Sequence, residues 1–237
     1  MNVTPQIAIH SNTNHFSPEF MNMLKEMMYT ADYEADSYVF WEGDPNNWLY
    51  LLVEGKIKLT KLNEFGKDLT LAVHFSEDLF GEYDPTETQM NSFSAEVIEP
   101  AQVGIIQQLE LKSRLKQNGN LASEFSEWQS LSRRYTQYKL RDLLLYGKNG
   151  ALASTLIRAA NTYGIELDGR IIITEKFTNY DLANLIGATR ETVNRLLSSL
   201  KKDGLIKVAH GKIEILNLSG LKEINRCEEC PVSICRL

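Results

Sequence analysis

Residues 178–206 read TNYDLANLIGATRETVNRLLSSLKKDGLI. Thr178 stands where a helix N-cap belongs, and Asp181 follows three residues on, in the place a capping box gives to Glu or Gln. A helix that starts there carries Leu182, Ala183, Leu185 and Ile186 on its apolar face. Gly187 supplies a left-handed turn, and Thr189 caps a second helix whose apolar face is Val193, Leu196, Leu197 and Leu200. Setting those positions aside leaves Arg190, Glu191, Asn194 and Arg195 on one exposed side of the second helix, near its start. The chain continues as LIKVAHGKIEIL, two strands that reverse at His210-Gly211.

Two helices joined by so short a turn cross steeply, and with the strand pair behind them they form a winged helix-turn-helix. The second helix of such a unit enters the major groove of double-stranded DNA by its N-terminal half. Arginine can take guanine O6 and N7 bidentately, and glutamate can accept from cytosine N4. The candidate DNA contacts are therefore Arg190, Glu191, Asn194 and Arg195 at base edges, with Thr178, Thr189, Lys201 and Lys202 beside them. Lys201 and Lys202 are placed to reach phosphates.

Working back toward the N-terminus, Leu121–Tyr146 contains no Gly or Pro and reads as one long helix. Leu121, Phe125, Trp128, Ser132, Tyr135, Lys139 and Asp142 follow an alternating four-and-three spacing, a stripe that suits a parallel dimer with a second copy. GKNGALAS ends that helix near Gly147. Between about Tyr38 and Ile106 short alternating strands (YVFWEGD, WLYLLVEGKIKLTKL, FGKDLTLAVHF, FSAEVIEPAQVGII) are punctuated by Gly43, Gly55, Gly66 and Gly81, the pattern of a jelly roll or barrel. The expected fold class is α+β: an N-terminal extension (1–18), a β jelly roll (19–120), a dimerisation helix (121–147), a winged helix-turn-helix (148–226) and a cysteine tail (227–237).

The 237 residues carry a net charge of −6, which is unpromising for a phosphate binder until it is divided along the chain. Residues 1–113 hold 6 Lys and Arg against 18 Asp and Glu, whereas residues 114–150 hold 7 against 3 and residues 151–226 hold 11 against 8. The basic half is the half with the helix-turn-helix, as local phosphate neutralisation requires. All ten arginines lie at position 114 or later. No apolar run is long enough to span a bilayer, and the first residues have neither the charged start nor the apolar core of a secretion signal, so a cytoplasmic protein without membrane contact is expected. His10, His15, His74 and His210 are scattered, and none is spaced from a carboxylate or serine as catalysis would need. With no P-loop, GxGxxG or nucleophile motif, no enzyme is expected.

The three cysteines, Cys227, Cys230 and Cys235, all fall within the last eleven residues, in RCEECPVSICRL. Three thiols on one short, flexible segment can face a single metal centre, and thiolates favour soft ions and iron-sulfur clusters. Zinc on three thiolates completed by His or a carboxylate is a second reading. Three free thiols on a frayed tail is a third.

The R-E-T-V-x-R run at Arg190–Arg195, the signature YLLVEGKIKL, and the order barrel, long helix, winged helix-turn-helix together resemble the CRP/FNR family of transcription regulators, over residues from about 20 to 226. The resemblance implies a cyclic-nucleotide-binding-like roll, a homodimer on palindromic DNA, and RNA polymerase as a further partner. Arg190 ahead of Glu191 is similar to members that read TGTGA half-sites rather than TTGAT. Cyclic-nucleotide binders of the family follow Gly-Glu, here Gly81-Glu82, with an Arg that clamps the phosphate. The segment YDPTETQMNSFSAEV has none and brings Asp84 and Glu87 instead, so cyclic AMP is not expected to bind. The tail resembles the Bacillus-type members, whose C-terminal cysteine trio carries a 4Fe-4S cluster with an aspartate near the end of the dimer helix as fourth ligand. That resemblance implies Cys227, Cys230, Cys235 and Asp142 as the ligands here. Without it, Asp142 reads as an exposed helical aspartate beside Arg141. The resemblance also implies oxygen-responsive, anaerobic regulation; a regulator of the same family whose tail is empty or zinc-bound is the alternative.

Overall fold

The structure, a computed structural model, describes residues 11–64, 66–84 and 90–237. The first ten residues of the expected N-terminal extension, with His10, and Glu87 of the acidic segment lie outside the described residues. The described chain divides into two compact units, Ser11–Arg133 and Arg134–Leu237. The division falls inside the long helix rather than at Gly147.

The first unit is built on antiparallel strands β1 (Tyr29–Tyr33), β2 (Tyr38–Phe40), β3 (Trp48–Leu62), β4 (Asp68–Phe75), β5 (Leu79–Phe80) and β6 (Ser94–Gln107). They pair in the order β1-β6-β3-β4, with β2 added to β6 and β5 to β3. The register of β3 on β6 runs from Trp48 opposite Gln107 to Thr60 opposite Ser94, shifting around Glu54 and Lys56. Gly43, Gly55, Gly66 and Gly81, expected at the breaks, all adopt positive φ. The alternation that marked the strands becomes an inner face of Tyr50, Leu52, Ile57, Leu59, Val97 and Val103, all buried.

Residues 11–17 are not a free extension. Ser11 Oγ and Thr13 Oγ1 each donate to Glu77 O at 2.6 Å, and the Asn12 amide donates to Asp78 Oδ1 at 2.8 Å. Fully buried Asp78 also sits 3.3 Å from His74 Nδ1, so one histidine does pair with a carboxylate. The pair is structural: Asp78 Oδ2 accepts from the Phe75 amide as well and ties the turn before β5. A short helix α1 (Pro18–Met27) starts at the Ser17 N-cap and buries Phe20, Met23 and Leu24.

Helix α2 (Gln108–Gln117) leads into α3 (Gly119–Tyr163), which is broken at Gly147 (φ 59°, ψ −161°). The first part of the expected dimer stripe is packed within the chain itself. Leu121, Phe125 and Trp128 pack with Phe16, Phe20 and Leu115 in the chain's own first unit. Further along, the Arg158 guanidinium lies over Tyr135 at 5.7 Å and Lys139 Nζ 5.6 Å from the same ring. Ser132 of the stripe is exposed, and Tyr135 and Lys139 are half-buried. Large apolar residues left exposed on α3 are Leu140, Leu144 and Leu145.

In the second unit, α4 (Asn179–Ile186), α5 (Arg190–Lys202) and a four-stranded antiparallel sheet follow the second segment of α3. The sheet order is β7 (Gly164–Leu167), β8 (Arg170–Ile173), β10 (Lys212–Ile215), β9 (Ile206–Ala209). Helix α6 (Leu218–Ile224) precedes the tail. No described helix is long and apolar enough to cross a membrane.

Candidate nucleic-acid interface and thiol site

The Thr178 hydroxyl accepts from the Asp181 amide at 3.1 Å while Asp181 Oδ2 accepts from the Thr178 amide at 2.8 Å, so aspartate completes the capping box. Leu182, Ala183, Leu185 and Ile186 are buried as the sequence requires. Gly187 takes φ 59°, ψ 37°, the left-handed conformation that stops α4 in one residue. Thr189 then caps α5 by accepting from the Thr192 amide at 3.2 Å. Of the apolar face assigned to α5, Val193, Leu197 and Leu200 are buried and Leu196 is half-buried.

Arg190, Glu191, Asn194 and Arg195 are exposed together, as are Thr178, Thr189, Lys201 and Lys202. Asn194 Oδ1 also accepts from Asn179 Nδ2 at 3.5 Å, a link between the two helices. The Glu191 carboxyl is held below the usual carboxylate range by its own backbone N–H at the helix start and by the Thr189 hydroxyl. The wing turns through His210 (φ 53°) and Gly211 (φ 77°), with Lys207 exposed on β9. Its sheet is twice as wide as expected. Strands β7 and β8 were missed, although Asp168-Gly169 between GIEL and RIII is the dipeptide of a tight hairpin turn.

One contact at this interface has no sequence signal. Lys148 Nζ donates to Ile186 O at 2.9 Å and Gly187 O at 2.8 Å, placing a cation on the last carbonyls of α4. Lysine there satisfies acceptors that the helix end leaves open and opposes the negative end of its dipole.

The cysteine tail is docked rather than frayed. Asn161 Nδ2 donates to Cys235 O at 2.7 Å and the Leu237 amide to Thr162 Oγ1 at 3.2 Å. Ile234, Cys235, Arg236 and Leu237 are buried, whereas Cys227 and Cys230 are half-buried. All three cysteines are free thiols. Burial, then the neighbouring Cys230, with which it is hydrogen-bonded, and Cys227 push the Cys235 thiol up to about 12, while Arg158 acts to lower it.

Asp142 lies elsewhere in the same unit and is only 2% exposed, unlike an exposed helical aspartate. Its Oδ1 accepts from Arg141 Nε at 3.1 Å and Nη2 at 2.7 Å. Its Oδ2 accepts from Arg158 Nη2 at 3.0 Å and from the Ser154 hydroxyl. Arg141 Nη1 reaches on to Glu228 Oε1, between Cys227 and Cys230, at 2.7 Å. The soft donor set of the tail is chemically suited to a thiophilic metal, and Cys235 is hydrogen-bonded to Cys230. Asp142 does not stand among them as a free fourth donor, because two arginines and a serine occupy its oxygens. Among the described residues no group of three His, Cys, Asp or Glu side chains is arranged to hold a metal ion.

A β-roll, a long helix and a winged helix-turn-helix are together the parts of a DNA-binding regulator. Residues 30–118 match the cyclic nucleotide-binding domain model and residues 150–224 the Crp-like helix-turn-helix domain model. The chain is 40% identical over 229 residues to the anaerobic regulatory protein of Bacillus subtilis (strain 168), covering 96% of each. It is 26% identical over 191 residues to the CRP-like cAMP-activated global transcriptional regulator of Mycobacterium tuberculosis (strain ATCC 25618 / H37Rv), covering 81% of this chain and 85% of that protein. A solved CRP/FNR-family transcriptional regulator from Thermus thermophilus superposes with a TM-score of 0.61 at 26% identity, over 84% of this chain and 98% of the other. The chain belongs to the CRP/FNR family: it is a DNA-binding transcriptional regulator, in a group of regulators rather than enzymes.

Proposed function

We propose that this chain is an oxygen-responsive regulator that binds a TGTGA-like palindrome as a homodimer when its tail carries a 4Fe-4S cluster, with RNA polymerase as its partner at promoters. The observation that carries this reading is that all three cysteines of the chain are free thiols on one short docked tail, in a chain whose 40% identical relative is named an anaerobic regulatory protein. Cys227, Cys230 and Cys235 would hold the centre, and Asp142 lies within reach of the same network through Arg141 and Glu228. A bound 4Fe-4S cluster supplies an oxygen-labile group that air destroys. The chain's own part is to hold the tail against α3 through Asn161 and Thr162, and to present Arg190, Glu191 and Arg195 to bases. Dimerisation is assigned to Leu140, Leu144 and Leu145, exposed by 53%, 70% and 69% on one stretch of α3.

Cyclic AMP is not the signal in this reading. The strands of the roll, Tyr29 to Gln107, carry no arginine, and Glu82, after Gly81, uses its carboxylate to accept from the Ser92 amide at 2.7 Å. Calorimetric titration is expected to show no binding, and micromolar affinity would reverse this part.

Protein purified without oxygen is expected to be brown, to contain about four irons per chain, and to lose colour and operator affinity together in air. A colourless anaerobic sample, or one holding only zinc, sinks the cluster reading and leaves a family member regulated otherwise.

A further inference from the structure

Within the first unit, the buried Gln108 side chain ties three segments of chain together. Its amide nitrogen donates to Glu82 O at 2.7 Å, to Asn46 Oδ1 at 3.0 Å and to Trp48 O at 3.1 Å, and its amide oxygen accepts from the Asp84 amide at 2.9 Å. Beside this hub lies a cavity of about 210 Å³, whose walls include Asn46, Trp48, Asp84 and the start of α2. That volume is several times one water's share of ~30 Å³ and below the ~300–1,000 Å³ of pockets that take drug-sized ligands. It suits a molecule larger than water and smaller than a nucleotide.

The walls offer partners for both signs of charge. Asn46 is only 4% exposed, and Gln108 takes its side-chain oxygen, so its amide nitrogen is the donor left for the cavity; no described residue accepts from it. A buried donor without an acceptor is costly, and a donor kept on a cavity wall points to an acceptor that the chain itself does not supply. Helix α2 begins at the same wall. Gln107, at its N-cap, makes no side-chain capping bond, and Gln107, Gln108 and Leu109 all border the cavity, so the positive end of a ten-residue helix opens on it. Both features favour a carboxylate. The half-buried Asp84 side chain borders the same space and favours an ammonium group. An anion alone meets Asp84 and a cation alone meets the helix end, whereas a molecule carrying both charges satisfies each.

We propose that this cavity binds a free α-amino acid, whose carboxylate accepts from the Asn46 amide nitrogen and the first-turn amides of α2 and whose ammonium group pairs with Asp84. Gln108 is a positioning residue: both of its polar atoms are engaged with the walls, and its hold on the Asn46 oxygen turns the Asn46 nitrogen toward the ligand. No residue of the cysteine tail takes part, so the site stands or falls apart from any cluster.

The test is nuclear magnetic resonance on the full chain, following the Asn46 side-chain amide while each free L-amino acid is added to millimolar concentration. At least one is expected to shift those signals saturably, and to bind about tenfold tighter than either the matching acid without its amino group or the matching amine without its carboxyl. Asn46→Asp keeps the acceptor for Gln108 but replaces the donor with a negative charge, and Asp84→Asn removes the partner of the ammonium group. Each is expected to weaken binding about tenfold; should one of them unfold, the other decides. If no amino acid moves the Asn46 amide, the site is overturned and the cavity holds water only. A half-molecule that binds as tightly as the whole overturns the two-charge assignment, and undiminished binding in the variants overturns the location.

Discussion

Arg190 and Lys202 lie on the same exposed helix, yet they would be lost in different ways. Arginine at a base edge contributes to choice among sequences, and lysine at a phosphate contributes to all sequences alike. Arg190→Ala is expected to relax discrimination at one guanine of the half-site by ~1–3 kcal/mol, whereas Lys202→Ala should weaken every sequence similarly and reduce the salt slope by about 1. Competition binding against a half-site library at two salt concentrations separates the two. Glu191 yields a second expectation. Its carboxyl is depressed in the folded chain, so its contribution to the helix start is present above the unfolded value and fades as pH falls through the folded one. Urea unfolding should find Glu191→Gln less stable than wild type at neutral pH, and the gap should close in acid below the folded value. These exposed residues were legible in the sequence because a helix sorts side chains by a fixed angle, and subtraction of the apolar face leaves the rest. The burial of Asp142 was not legible: its partners lie 12 and 16 positions away across a break, a distance at which periodicity carries no information.

Among the elements, α3 departs most from its sequence pattern. The apolar positions of its first half were read correctly as a seam, but a seam does not name its partner. Phe16, Phe20 and Leu115 of the same chain cover Leu121, Phe125 and Trp128, contacts that no local rule could supply. The break at Gly147 was readable from composition, since GKNG cannot sustain a helix well. What the break demands is more specific. Gly147→Ala introduces no clash, but it forces a Cβ into a conformation that costs ~1–3 kcal/mol. Thermal unfolding should report that loss, and DNA affinity should change with it if α3 must bend at this residue. The wing sheet is a milder case, where β7 and β8 were overlooked because GIELDGRIII is short, although its turn residues follow the hairpin rule.

Over the whole molecule, charge was a good guide to where nucleic acid is met. The acidic first 113 residues contain the roll, and the basic remainder contains the recognition helix. The order of the roll, the long helix and the helix-turn-helix was also legible, because each has its own period and its own punctuation. The environment of the tail was not, since three cysteines in a flexible segment look the same whether they dangle or dock. Its docking depends on Asn161 and Thr162, which resemble ordinary polar helix positions until the fold brings Cys235 and Leu237 to them.

The pairing of β3 with β6 also sets a schedule for the ribosome. Trp48–Leu62 is made early, and β4 can zip onto it almost at once, but its other edge has no partner until Ser94–Gln107 has emerged. During that interval the chain exposes Leu49, Leu51 and Leu52, and long-range strand pairs are slow to close. Lys56, Lys58 and Lys61 punctuate the waiting strand, and charges so placed discourage it from pairing with a neighbour's nascent copy. Chains stalled with β6 still inside the exit tunnel should be cut by protease throughout the roll, and chains stalled after β6 has cleared it should resist. Translation thus delivers the DNA-reading half only after the strand that seals the first half is in place.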